Sequence, residues 1–181
     1  MKEPTVSVCI TTHQRLEQLK NALYFVKNQT YPIKEIKIYA SGYKEGELDD
    51  LGVEVSYEQD WKDWGHHKRA KAFKELTGDY IWTVCDDDQY PFTFLERMFV
   101  NHNGEDIIYC NFGTKTRPHY WVKSMLHRGY IGNGNILVSK KIASITPYVG
   151  MSHSGDWTFI EDCLKNKATS RYVDEGLYFH N

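Results

Sequence analysis

The sequence predicts one α/β domain with a mostly parallel central sheet flanked by helices. Strand-like and helix-like segments alternate over about the first ninety residues, the pattern of a doubly wound parallel sheet. An apolar run rich in β-branched and aromatic residues, Tyr80-Ile81-Trp82-Thr83-Val84-Cys85, runs straight into Asp86-Asp87-Asp88. That places a polar cluster at the carboxyl end of a buried strand, where open α/β sheets bind ligands. The length, 181 residues, suits a single domain with one substantial core. There is no internal repeat, low-complexity tract or linker, so one domain is expected over 1–181.

Taken in order, Val6 to Thr11 reads as a first strand buried on both faces. Leu16, Leu19, Leu23 and Val26 recur at helical spacing through about Asn28, with Thr11 or Thr12 available as a cap and Tyr31-Pro32 as a breaker. Lys34 to Ala40 alternates as a second strand, Ser41-Gly42 opens a loop, and Gly52 to Tyr57 forms a third strand. A helix follows from about Asp63 to Leu76, with Ala70, Phe73 and Leu76 inward and Gly78 stopping it in the left-handed conformation. Beyond the acidic cluster, Pro91 is placed to open a helix, and Phe92 to Phe99 looks helical. Asp106 to Phe112 is another strand. Arg117 to Tyr130 is aromatic and basic and fits neither period. Gly132 to Asn135 leads into strand Ile136 to Val138, and Ser139 caps a short helix that Pro147 ends. Gly155 to Lys165 is amphipathic, with Trp157, Ile160 and Leu164 on one side. Two strand-like pieces close the chain, Tyr172-Val173 and Leu177 to Asn181.

Three adjacent carboxylates repel one another unless a positive group lies between them. Hard divalent cations with oxygen ligands, Mn²⁺ or Mg²⁺, are the natural answer, and a solvated acidic turn is the plainer one. In extended backbone Asp86 and Asp88 point one way and Asp87 the other. The formal net charge is −2 and the basic residues are scattered, which argues against a nucleic-acid partner. No apolar run reaches membrane-spanning length, and Met1-Lys2-Glu3-Pro4 leads directly into a strand without a signal peptide. Cys9, Cys85, Cys110 and Cys163 are far apart, without a CxxC pair, and read as buried free thiols. A cytoplasmic location is expected from these features together.

The chain resembles a family 2 glycosyltransferase of the GT-A fold. Val6 to Arg15 is similar to the family's opening strand and nucleotide-contacting turn, VSVIIPTYNR. Gln29-Thr30-Tyr31-Pro32 with Glu35-Ile36 resembles its Q-x-Y-P-x-x-E-I. Gly65, Lys68-Arg69-Ala70 and Gly78-Asp79-Tyr80-Ile81 resemble its G-x-x-x-A-R-N…G-D-Y-I, Asp86 to Asp88 its DxD motif, and Gly155-Asp156-Trp157 its E-D-W segment. Five segments in the right order at plausible spacing make the signal specific.

The resemblance implies a metal-dependent, inverting transfer of sugar from a nucleotide-diphosphate donor, UDP by default, to a glycan or glycoconjugate hydroxyl. It implies a nucleotide-sugar half over 1–100 and an acceptor half over 101–181. Thr11, Thr12, Arg15, Ser41, Lys68, Arg69, Asp86 and Asp87 would contact the donor. Asp88 would hold the metal with His180 as a possible further ligand, and Asp156 would be the general base. Trp157, Asn133 and Gly134 would face sugar or acceptor, with Tyr130 and Trp121 as further stacking candidates. Plainer roles stay open: Asp156 also suits a helix N-cap, His180 a structural histidine, and Lys68-Arg69 a solvent-facing helix turn. Glu161 and Asp162 are alternative bases or a solvated face. Three departures stand out. The family's D-D-G-S after the second strand is here Ala40-Ser41-Gly42, without the base-contacting carboxylate. The E-D pair is Gly155-Asp156, and the C-terminal helices of many members are absent. A catalytically silent nucleotide-sugar-binding module and a nucleotidyltransferase are the alternatives. The second would want a glycine-rich phosphate loop after the first strand, and Thr11 to Arg15 has no glycine.

Overall fold

The computed structural model describes residues 3–149 and 154–180, without the side chains of residues 117–119. One eight-stranded sheet runs through it. Four strands, β1 (Val6–His13), β2 (Ile33–Ser41), β3 (Glu54–Glu58) and β4 (Tyr80–Cys85), pair in parallel in the order β3-β2-β1-β4. Helices α1 (Leu16–Lys27) and α2 (His66–Glu75) lie in the connections between them. The second half is mixed. Strand β7 (Ile136–Ser139) runs antiparallel to β4 and to β5 (Ile107–Thr114). Strand β6 (Arg117–Val122) pairs antiparallel with β5, and β8 (Ser170–His180) pairs parallel with it. The expectation of a mostly parallel sheet flanked by helices holds, with β6 and β7 as the antiparallel members.

The period-two alternation of β1 explains why it reads as apolar throughout. Val6, Val8 and Ile10 pack with Leu19, Leu23 and Val26 of α1 and with Phe94, Leu95 and Met98 of α3 (Phe94–Phe99). Cys9 faces the other way, among Phe73 of α2, Ile142 of α4 (Lys140–Ile145) and Phe159 and Ile160 of α5 (Gly155–Lys165). A strand with helices on both faces needs apolar residues at odd and even positions alike. Trp82, fully buried on the α1–α3 side, stacks on Phe94 with ring centroids 4.8 Å apart.

Several local expectations are corrected. Thr11 and Thr12 do not cap α1, because β1 extends to His13 and the N-cap is Arg15, which makes no side-chain cap bond. Ser41 closes β2 instead of opening a loop. The inward face of α2 is His66, Lys68, Arg69, Ala72 and Phe73, with Ala70 half-buried. Gly78 is not left-handed. Its role is close approach, since a Cβ there would lie 2.6 Å from the Ser7 backbone nitrogen and hydroxyl. The helix after Pro91 starts only at Phe94. The two closing strand pieces are one strand, β8, and Asn181 lies outside the described residues. Ser139 does cap α4, its hydroxyl accepting from the Ile142 N–H at 3.2 Å. All four cysteines are free.

Candidate active site

The parallel strands end in one cleft. Strand β4 stops at Cys85, and Asp86-Asp87 form a turn. The alternation expected of extended backbone therefore fails, and Asp86 pairs with Asp87, not with Asp88. Arg15, on the β1–α1 connection, reaches across to both. Its Nη2 lies 2.5 Å from Asp86 Oδ1 and its Nη1 donates to Asp87 Oδ2 at 2.8 Å. Thr12 donates to Asp86 Oδ2 at 2.7 Å. Asp86 is 2% exposed, and burial raises its pKa against these partners.

Asp88 is answered differently. Its Oδ1 accepts from the Tyr178 hydroxyl at 2.8 Å and lies 3.2 Å from His180 Nδ1. Its Oδ2 accepts from the Cys85 N–H at 3.1 Å and the Tyr90 hydroxyl at 3.4 Å. Burial, then the charge of Asp88, pushes both tyrosines well above the ordinary phenol range, so they stay protonated donors. The hydrogen bond to Asp88 raises the pKa of His180. Glycine at 134 makes this cluster possible, because a Cβ there would lie 2.4 Å from the Tyr178 ring. The backbone bridge between Gln89 and Phe179, two bonds of 3.0 Å, holds β8 across the acidic turn.

Lys68 and Arg69 are buried, not solvent-facing. Lys68 Nζ donates to the Thr12 carbonyl and the Ser41 hydroxyl, both at 2.6 Å, and burial lowers its pKa. Arg69 lies behind Asp156, with Nη2 3.6 Å from Oδ1. Asp156 sits in the first turn of α5, whose N-cap is Ser154. Its Oδ1 accepts from Asn133 Nδ2 at 2.5 Å and the Tyr148 hydroxyl at 2.9 Å. Among the described residues its Oδ2 receives only the Asn133 N–H at 3.3 Å. Burial keeps Tyr148 protonated by raising its pKa. Among the described residues Oδ1 is thus held by two side chains and Oδ2 by a single backbone N–H.

Two cavities meet at Asp156 and His180. One, about 720 Å³, is lined by Thr11, Thr12, Arg15, Ser41, Lys68 and Asp87, together with the loop carrying Trp61 and Trp64. The other, about 540 Å³, is lined by Asn133, Gly134, Trp157, Arg128, Phe112 and Tyr178. Asp156, His180 and Cys85 border both. Most of the expected site residues therefore converge. Trp121 does not: it borders a separate hollow with Phe25 and Phe179. Tyr130 is exposed and lines neither cavity. Glu161 and Asp162 pair with Lys165 on the helix surface. Sequence reading missed Tyr148, Tyr178, Trp61 and Trp64. The tyrosines sit among apolar residues and read as core. The tryptophans belong to a loop, Asp60 to Gly65, whose polar and aromatic residues were part of the available signal.

A family model described as glycosyl transferase family 2 matches residues 7–175. The chain belongs to this family. Among solved structures, this family 2 chain is similar to S. aureus TarS in complex with UDP, at 13% identity and a TM-score of 0.76 over 98% of this chain. It is also similar to a mannosyltransferase of Pyrobaculum calidifontis in complex with GDP-Man and Mn²⁺, at 11% identity, TM-score 0.69 and 98% coverage. The inositol-1-phosphate CTP transferase of T. maritima shares the fold at 14% identity and TM-score 0.65, over 99% of this chain and 90% of that one. The chain spans 60% of that TarS chain and 57% of the mannosyltransferase. No curated protein matches the sequence.

A divalent metal fits the residues present only in part. Among the described residues no three His, Cys, Asp or Glu side chains surround one point. Asp88 and His180 lie side by side, but the Asp88 side chain is buried, lines neither cavity and has protein partners on both oxygens, so of the two only His180 borders the cleft. A Mg²⁺ or Mn²⁺ there would draw most of its ligands from substrate phosphate and water. Among the described residues no helix is long and apolar enough to cross a membrane.

Proposed function

We propose that this chain is the catalytic domain of a metal-dependent, inverting glycosyltransferase, with the larger cavity holding a nucleotide-diphosphate sugar and the smaller one the acceptor. Residues 1–100 then form the donor half and 101–181 the acceptor half. The observation that carries the reading is the position of Asp156 on the border of two cavities, with Oδ2 held among the described residues by a single backbone N–H. A base placed there takes a proton from a hydroxyl in one cavity while that oxygen attacks an anomeric carbon presented from the other. Attack from the face opposite the leaving group inverts the centre. Lys68 and Arg69 place positive charge beside the larger cavity, where the leaving diphosphate gains negative charge. A Mn²⁺ or Mg²⁺ at Asp88 and His180 would neutralise that leaving group. Asn133 and Tyr148 hold Oδ1 of Asp156, which supports a role for Oδ2 as the base.

UDP is the default nucleotide, supported by the UDP-bound neighbour. Where the resemblance expects a carboxylate after β2 there is Ser41, held by Lys68 and by His13 at 3.1 Å, while Asp60 and Asp63 line the same cavity. Nucleotidyl transfer, as in the T. maritima neighbour, is the second reading, and the glycine-free β1–α1 turn argues against it. Differential scanning fluorimetry with UDP, GDP, CDP and dTDP, each with and without Mn²⁺, tests the proposal. A stabilisation that needs both one diphosphate and the metal is the expected result. No shift with any of them removes the donor-site assignment.

A further inference from the structure

The aromatic, basic segment at 117–130 has no role in the reading above. Its surroundings have an unusual charge distribution. Residues 107–155 hold six of the chain's 22 Lys and Arg and none of its 24 Asp and Glu, although the whole chain is net negative. Not all six face the cleft. Lys140 and Lys141 lie at the far end of the sheet, Lys140 on the Phe73 carbonyl and Lys141 3.6 Å from Asp106. Lys123 lies over the Tyr172 ring near Asp174.

Arg128 and Lys115 are at the site end. Arg128 lines the smaller cavity, exposed, and its Nη2 donates to the Ser154 hydroxyl at 2.7 Å, a neutral partner. Lys115 follows β5 directly, its backbone N–H donating to the His180 carbonyl at 3.0 Å. Asn133, 4% exposed in the wall of the same cavity, donates from Nδ2 to Asp156 and Tyr148, and its Oδ1 is without a protein partner among the described residues. Trp157 and Phe112 supply flat apolar wall. The cavity thus combines ring surface, a carbonyl acceptor without a protein partner and a guanidinium that, among the described residues, pairs with no carboxylate, although Asp156 lies in the same lining.

We propose that the smaller cavity takes an anionic acceptor: a saccharide chain carrying phosphate or carboxylate groups, one of which is held by Arg128. A guanidinium presents paired donors that match either anion. The inference rests on the assignment of this cavity to the acceptor.

The test is binding, measured by thermophoresis at low and high salt with UDP and Mn²⁺ present. The probes are a short oligogalacturonate, a phosphodiester-linked hexose oligomer, a neutral malto-oligosaccharide and a single-stranded oligodeoxynucleotide of matched charge. One or both anionic saccharides should bind more tightly than the neutral one and weaken as salt screens the contact. Which of them binds identifies the anion. Arg128→Gln should weaken that binding about tenfold, and Arg128→Lys should restore part of it. Equal binding of the neutral oligomer, no effect of Arg128→Gln in a variant of unchanged melting temperature, or equally tight binding of the oligonucleotide overturns the proposal. The readout is occupancy of the acceptor side and needs no sugar transfer. Failure of the catalytic reading would show instead in the nucleotide titration.

Discussion

Asp86 and Asp88 are two residues apart, equally buried and chemically identical, yet the protein answers their charges in opposite ways. Asp86 shares a guanidinium with Asp87 and accepts from Thr12. Asp88 has two neutral phenols, one backbone N–H and a histidine. The first carboxylate is balanced inside the fold. The second is held mainly by neutral donors, which orient a charge but do not cancel it, with the His180 imidazole, whose pKa it raises, as the neighbour able to carry positive charge. A residue in the second condition retains attraction for a cation. Counting carboxylates in a motif therefore says less than finding which of them already has a counter-charge.

The largest effect that would test this contrast is expected for Asp88→Asn. Sugar transfer should fall by about 10²–10³-fold or more, and the Mn²⁺-dependent part of the UDP shift should vanish, with the fold retained. A retained metal effect would break the comparison. Arg15→Gln should act on the other side of it, leaving Asp86 buried without its cation. A loss of about 2–4 kcal/mol in urea unfolding is expected, with the requirement for metal unchanged. Tyr178→Phe removes one hydroxyl from Asp88 and should cost about 1–2 kcal/mol while altering metal affinity less than His180→Gln does. Tyr148→Phe should reduce kcat more than KM, since it frees Asp156 to turn without touching the donor cavity. The smallest effect is a control on pH. His102 lies beside Tyr80 at the opposite end of β4, and burial lowers its pKa. Its neutral form is the one the fold favours. Its contribution to stability is therefore complete above its ordinary range near pH 6.5 and is lost as pH falls through the folded value. His102→Asn should flatten the melting curve's pH dependence in that window, which separates this titration from any at the cleft.

The parallel half was legible because strands buried on both faces and an amphipathic helix leave distinct periods. The bounds of α5 were read correctly for the same reason. The mixed half was harder. Strand β8 contains Asp174-Glu175-Gly176, which reads as a break, and the register shifts there while the strand continues. Lys68 and Arg69 read as surface because charged residues on a helix normally are. Only the cleft behind α2 supplies the carbonyl, hydroxyl and carboxylate that keep them inside. Tyr148 and Tyr178 were invisible as site residues because the ring of a tyrosine packs like any apolar residue, and its hydroxyl acquires meaning only from what it meets.

The bridge between Gln89 and Phe179 ties the acidic turn to a segment ninety residues further along the chain. A partly synthesised chain already carries Asp86, Asp87 and Asp88 long before that. It does not carry Tyr178 or His180. Until residues 170–180 have been made and have paired with β5, Asp88 has neither its phenol nor its imidazole. Synthesis arrested before that point, or a cut ahead of β8, leaves a chain that has all three carboxylates but lacks two of the partners that hold Asp88.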